Sequence, residues 1–200
     1  MNPPLIVGHP ERPVLYMGLD IGIRRDSTGL VALYQDPRDQ SYVLYDHKLW
    51  TPSKKREVII GEVVEAILIA FDHHNIAGLW YDPSQFISEA QRLSQEGFGH
   101  LLFEVKQSFE HLVPMCSGII DGIEAKSLVF YPDEDLRNHF KHASIKMTDR
   151  GAYIKKTKTS RPIDLVVAFS MALYGLKRSH IAVTRPSYME HRHSKSIQVA

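Results

Sequence analysis

Between Val14 and Trp50 the chain carries three apolar, strand-like segments: Val14 to Ile21, Thr28 to Tyr34 and Tyr42 to Trp50. The joins between them, Gly22 to Ser27 and a turn around Asp36-Pro37-Arg38-Asp39, are too short to hold a helix. A parallel crossover needs a dozen or more residues, so these joins impose two hairpins and an antiparallel meander. After Trp50 the period changes. Val58, Ile59, Val63, Val64, Ile67, Leu68 and Phe71 recur at helical spacing, and a strand then ends on Asp82. Ser84 is placed to cap a helix running to Glu96, with Gly97 at its stop. Leu101 to Val105 reads as a strand, Ser108 to Glu124 as a helix that Pro114 can bend, and Leu128 to Tyr131 as a short extended piece. Pro132 opens a helix to His142, Ile145 to Lys158 alternate about a turn at Asp149-Arg150-Gly151, and Ile163 to Lys177 form a last helix. Antiparallel strands followed by alternating helix and strand predict one α/β domain, a mixed sheet with helices on both faces.

The 200 residues suffice for one domain with its own core. A net charge of +1 gives no global polyanion signal, so a nucleic-acid surface would have to be local. Arg150, Lys155, Lys156, Lys158 and Arg161 form one basic stretch, and Lys177, Arg178, Arg185, Arg192 and Lys195 another. Such clusters also serve solubility alone. The single Cys116 excludes an internal disulfide and a cysteine zinc site, and suits a reducing cytoplasm. No apolar run approaches the roughly 20 residues of a membrane span. His73-His74 and His191-x-His193 lack the spacing of a helical zinc motif. The organisation expected is an N-terminal arm over residues 1–13, a domain over 14–178 and a basic, mobile tail over 179–200.

Three aspartates stand where apolar chain stops: Asp20 after the first strand, Asp82 after the strand that follows the first helix, and Asp164 at the start of the last helix. With the first strand central and the Asp82 strand parallel beside it, Asp20 and Asp82 share one sheet edge, where ligands bind in open α/β sheets. Carboxylates so gathered repel unless cations hold them, and hard oxygen ligands favour Mg²⁺ or Mn²⁺. Two such ions roughly 4 Å apart support phosphodiester hydrolysis. Each residue also has an ordinary use: Asp-Pro is turn chemistry, and an aspartate opening a helix suits its dipole. Asp26 is either an extra ligand beside Asp20 or the residue of a hairpin Asx turn. The residues alone leave both readings open. Asp72, Asp121, Asp133 and Asp135 fall on helix faces or ends and read as solvated.

These motifs carry a resemblance. Gly18-Leu19-Asp20-Ile21-Gly22 with Asp26-Ser27-Thr28-Gly29-Leu30-Val31, then Tyr81-Asp82-Pro83-Ser84-Gln85 with Gln91-Arg92-Leu93, then Pro162 to Leu173, are similar in order and spacing to the three motifs of the nuclease domain of bacteriophage terminase large subunits. That domain is a branch of the ribonuclease H-like superfamily, and the resemblance covers nearly everything from Tyr16 to Lys177. It implies a ribonuclease H-like α/β fold and a DNA endonuclease in which Asp20, Asp82 and Asp164 hold catalytic Mg²⁺ or Mn²⁺; whether one ion or two, and whether Asp26 joins as an extra ligand, stays open at this point. It makes Lys156 and Lys158 the candidates for phosphate contact, and the basic stretch that also holds Lys155 and Arg161 is expected to border the DNA path. Cutting of concatemeric double-stranded DNA at the start and end of packaging would follow, in the cytoplasm of an infected bacterium, with the portal, the small terminase subunit and a terminase ATPase domain as partners.

The chain departs from the family at Leu165, where some members carry a further acid, and at Ser84, where an aromatic residue often stands. It has no Gly-x-x-x-x-Gly-Lys-Ser/Thr loop, so it is expected to be a nuclease domain without its packaging ATPase. A Holliday-junction resolvase type of nuclease and a non-catalytic DNA-binding or packaging module are the competing readings. A sugar-kinase or actin-like ATPase would need a second lobe and a second glycine-rich phosphate turn.

Overall fold

The computed structural model describes residues 12–183 except 25, 55, 159 and 160. The meander is present as β1 (Val14–Asp20), β2 (Thr28–Gln35) and β3 (Tyr42–Trp50), each antiparallel to the next. Helix α1 (Ile60–His73) returns the chain so that β4 (Asn75–Tyr81) lies parallel to β1. After α2 (Ile87–Leu93), β5 (Leu102–Glu104) adds parallel to β4; after α3 (Phe109–Glu124), β6 (Leu128–Val129) adds parallel to β3. The sheet order is β5-β4-β1-β2-β3-β6, with β1 inside. Helix α4 (Glu134–His142), a separate hairpin of β7 (Ala143–Thr148) and β8 (Gly151–Lys156), and α5 (Asp164–Val183) complete the chain. The mixed α/β sheet expected from the periodicity is the one observed.

Strand alternation divides the core in two. Leu15, Met17 and Leu19 of β1, with Leu30 and Tyr34 of β2 and Leu79 and Tyr81 of β4, pack with Val63, Val64 and Ile67 of α1 and Leu93 of α2. The opposite residues, Val31, Leu33 and Leu44, meet Leu165, Phe169, Leu173 and Leu176 of α5, together with Ile119 and Leu136. Full burial of each such side chain contributes about 1.5–3 kcal/mol, against a few tenths per residue for helix propensity, so packing decides that α5 forms. The helix is apolar nearly all round because the sheet covers one side and α3 and α4 cover the other.

Several boundaries differ from the sequence reading. The cap after β4 is Asp82 rather than Ser84: its Oδ1 accepts the Ser84 amide at 2.9 Å and starts a 3₁₀ turn over Pro83–Gln85. Pro83 supplies the fixed φ of a first helical residue, which moves the cap two residues upstream. Helix α2 then ends at Leu93 and widens into a π turn over Ser94–Phe98 instead of continuing to Glu96. Asp133 is not simply solvated: it caps α4 through the Leu136 amide at 2.8 Å. Helix α5 runs to Val183, so residues 179–183 of the expected tail are helical; 184–200 and residues 1–11 of the expected arm lie outside the described residues. Among the described residues no helix is long and apolar enough to cross a membrane.

The packing of α5 on β1 leaves no room for a side chain. A Cβ on Gly18 would lie 1.9 Å from the Ala168 carbonyl oxygen and 2.7 Å from the Ala172 nitrogen. Both are backbone atoms and cannot rotate away. Gly18→Ala is therefore expected to cost about 3 kcal/mol by forcing helix and strand apart, read as a lower urea midpoint at unchanged m-value.

Candidate metal centre

Asp20 is the last residue of β1, and its backbone pairs across the ladder with Gly29 of β2. Alternation turns it away from the Leu19 side, toward α5. On the other flank Leu19 is in register with Tyr81, so Asp20 and Asp82 are the next residues along two parallel neighbours, one strand spacing of about 4.8 Å apart. Asp164 comes from the opposite direction as the first residue of α5. Gly29 makes that approach possible, since a Cβ there would lie 3.1 Å from the Asp164 carbonyl carbon and oxygen. One glycine thus abuts Asp20 in the ladder and Asp164 in the helix.

The environment of these carboxylates is unusual. Asp164 is 4% exposed, and its Oδ2 accepts the Ser27 hydroxyl at 2.6 Å. The Asp20 pKa is pushed up to about 8, first by burial and then by the charges of Asp164 and Asp82; Lys156 opposes the shift and Asp26 adds to it. Asp26 itself forms an ion pair with Lys156, which reaches it from the end of β8. Asp20, Asp26, Asp164, Lys156 and Gln107 line one cleft of about 340 Å³. Lys155 also lines it, whereas Lys158 and Arg161 lie exposed in the β8–α5 connection. Asp82 stands outside the cleft lining, its Oδ1 directed to the Ser84 amide.

Among the described residues no group of three or more His, Cys, Asp and Glu side chains is gathered closely enough to hold a metal as it stands. The donor chemistry nevertheless fits a hard divalent cation. Asp20 and Asp164 offer carboxylate oxygens at adjoining positions, and the raised Asp20 pKa reflects burial first and the neighbouring carboxylates second. Lys156 is the cation that tempers it, and that side chain is already paired with Asp26. Asp82 adds its charge from the next strand end while capping its own turn.

No protein-family model and no curated protein matches the chain. Solved structures do match. The large terminase of bacteriophage HK97 superposes with a TM-score of 0.70 at 19% identity, over 82% of this chain and 39% of that one. The fold is that of the large terminase nucleases. The nuclease of phage G20c, solved with bound magnesium, gives 0.60 at 12% identity over 82% of each chain. That of bacteriophage SPP1, solved with bound manganese, gives 0.57 at 14% identity over 84% of this chain and 88% of that one. The chain therefore spans less than half of the HK97 terminase but most of the separate terminase nuclease domains, and at these identities the likeness is one of fold.

Two residues beside these carboxylates escape a sequence reading. Ser27 follows the more conspicuous Asp26, and nothing local marks it as buried against a residue 137 positions away. His139 lies 3% exposed on α4 and accepts the Leu165 amide at 3.0 Å through Nδ1. The only available signal is a polar residue on the apolar face that carries Leu136 and Phe140.

These buried groups tie stability to pH. Burial holds the His139 pKa below its ordinary 6.5, against the opposing pull of Asp164. Below that pH the unfolded chain binds the proton more readily than the folded one, so stability falls as pH drops through 6.5 toward the lower folded value. Thermal melts of wild type and His139→Asn should diverge in that window and run parallel above it. In EDTA at pH 9, Asp20→Asn should raise the melting temperature by a few degrees, because it removes a buried charge among like charges.

Proposed function

We propose that this chain is a divalent-metal-dependent DNA endonuclease of the terminase type, its nuclease unit spanning 14–178. The observation that carries the reading is the half-buried Asp20 carboxylate, its pKa raised by burial and by Asp164 and Asp82, at the strand-end edge of a terminase nuclease fold. Asp20 and Asp164 would hold Mg²⁺ or Mn²⁺, one ion or two, with Asp82 joining from the next strand end and Asp26 available once freed from Lys156. When bound, such ions supply Lewis-acid activation of water and of the scissile phosphodiester. The protein's own part is orientation: the Ser27 hydroxyl fixes one oxygen of Asp164, and the packing of α5 on β1 fixes where that carboxylate starts.

Lys155 and Lys156, which line the cleft, and Lys158 and Arg161, exposed in the connection that follows, are assigned to phosphate binding. Magnesium and manganese in the related G20c and SPP1 nucleases support the choice of ions. The proposed substrate is concatemeric double-stranded viral DNA. The proposed partners are a terminase ATPase domain, the portal and the small subunit, and the proposed setting is the cytoplasm of an infected bacterium.

Purified protein is expected to nick and linearise supercoiled plasmid in Mg²⁺ or Mn²⁺ and to be silent in EDTA. Asp20→Ala and Asp164→Ala should each reduce the rate at least about 100-fold; retention of wild-type cutting by either variant overturns the reading. Replacing Lys156 and Lys158 by Gln should weaken DNA affinity. The slope of log K against log salt should fall by about 1 for each phosphate left without a basic partner, measured by anisotropy in the absence of divalent metal.

A further inference from the structure

Asp164 is constrained from two sides. Its carboxylate accepts the Ser27 hydroxyl, and the amide of the next residue is held from another element altogether. The first-turn amides of a helix find no carbonyl inside it. In α5 the Val166 and Val167 amides turn back to the Ile163 carbonyl at 2.8 and 3.1 Å. The Leu165 amide goes instead to His139 Nδ1 on α4, and both residues are buried. A backbone amide only donates, so Nδ1 carries the lone pair and the ring is the neutral tautomer with its proton on Nε2.

The C-terminal end of α4 grips the connection at two further points. Thr157 donates both its amide and its hydroxyl to the His142 carbonyl, each at 2.8 Å. His142 Nδ1 donates to the Pro162 carbonyl at 3.2 Å. The segment that leaves β8 just after Lys156 and enters α5 at Asp164 is thereby tied at 157, 162 and 165 to two histidines on successive turns of one helix.

We infer that His139 is a positioning residue for Asp164, fixing the start of α5 through the Leu165 amide. The choice of side chain follows from the charge of the site. An aspartate cap would accept the same amide but add another carboxylate beside Asp164 and Asp20. A lysine or arginine cannot accept an amide, and its charge would compete with a cation for Asp164. A neutral imidazole accepts from a neighbouring helix and leaves the carboxylate charge undiminished. This role rests on the metal-site reading proposed above.

The test compares wild type, His139→Asn and His139→Leu by Mn²⁺ titration calorimetry, thermal melting and hydrogen exchange at the Leu165 amide. Asn places Oδ1 near the Nδ1 position and keeps the acceptor; Leu fills the space and removes it. His139→Leu is expected to weaken Mn²⁺ binding about 10–100-fold and to speed Leu165 exchange, whereas His139→Asn stays within about threefold of wild type. A folded His139→Leu protein with wild-type Mn²⁺ affinity overturns the inference, as does a folded His139→Asn protein as impaired as the Leu variant. If His139→Leu does not fold, wild type and His139→Asn decide it: a Leu165 amide exchanging as fast as exposed amides in wild type overturns the inference, and strong protection with affinity retained in the Asn variant supports it. Wild-type protein that binds no Mn²⁺ and cuts no plasmid would instead remove the nuclease reading, a result distinct from either.

Discussion

Backbone-to-backbone approach between β1 and α5 is the constraint from which the other features of this protein follow. Gly18 lets the Ala168–Ala172 stretch of the helix lie directly on the strand, and Gly29 does the same for the first residue of the helix. Because the helix sits at that height, Asp164 begins level with the ladder pair Asp20–Gly29, and the small residues of α5 prove as consequential as its large ones. Leu165, Phe169 and Leu173 supply the burial that holds helix and sheet together. Remove the close approach and the carboxylates part, whatever their own chemistry.

Closeness has an electrostatic cost, and the chain leaves it largely uncompensated. Lys156 is shared with Asp26, and Ser27 and the Ser84 amide provide hydrogen bonds rather than charge. In an ordinary core such an arrangement would be replaced by apolar residues of similar size. Carboxylates crowded and desolvated in this way at the end of a central strand are the arrangement on which the proposed metal site rests.

Much of this is legible in the sequence, and the unequal legibility has physical causes. Short joins and a change of period specify the meander and its switch to helices, because both are local. The parallel pairing of β1 with β4 follows from the crossover through α1. The cap after β4 is ambiguous in sequence because Asp82 and Ser84 are both good capping residues and only the fixed φ of Pro83 separates them. The end of α5 is hidden because Lys177 and Arg178 interrupt the apolar pattern without interrupting a helix; both are good helix formers. Ser27 and His139 are invisible because their partners lie 137 and 26 residues away. Charge and polarity can be read along a chain; which polar atom will face which amide across a core cannot.

The β7–β8 hairpin belongs to a different sheet from the one that carries Asp20, and the two share no ladder. It is seated on α3 by side chains, with Tyr153 edge-on to Phe109, a Val113 side chain beneath Gly151, and Arg150 over the Phe109 ring. Yet its second strand contributes Ile154, Lys155 and Lys156 to one wall of the cleft. The aperture over the carboxylates is thus bounded on one side by hydrogen-bonded sheet and on the other by a clip resting on aromatic packing, the backbone ties of α4 and one ion pair. Because α3 packs against both this hairpin and α5, the helix that opens on Asp164, the width of the aperture and the placing of that carboxylate are set through one shared element.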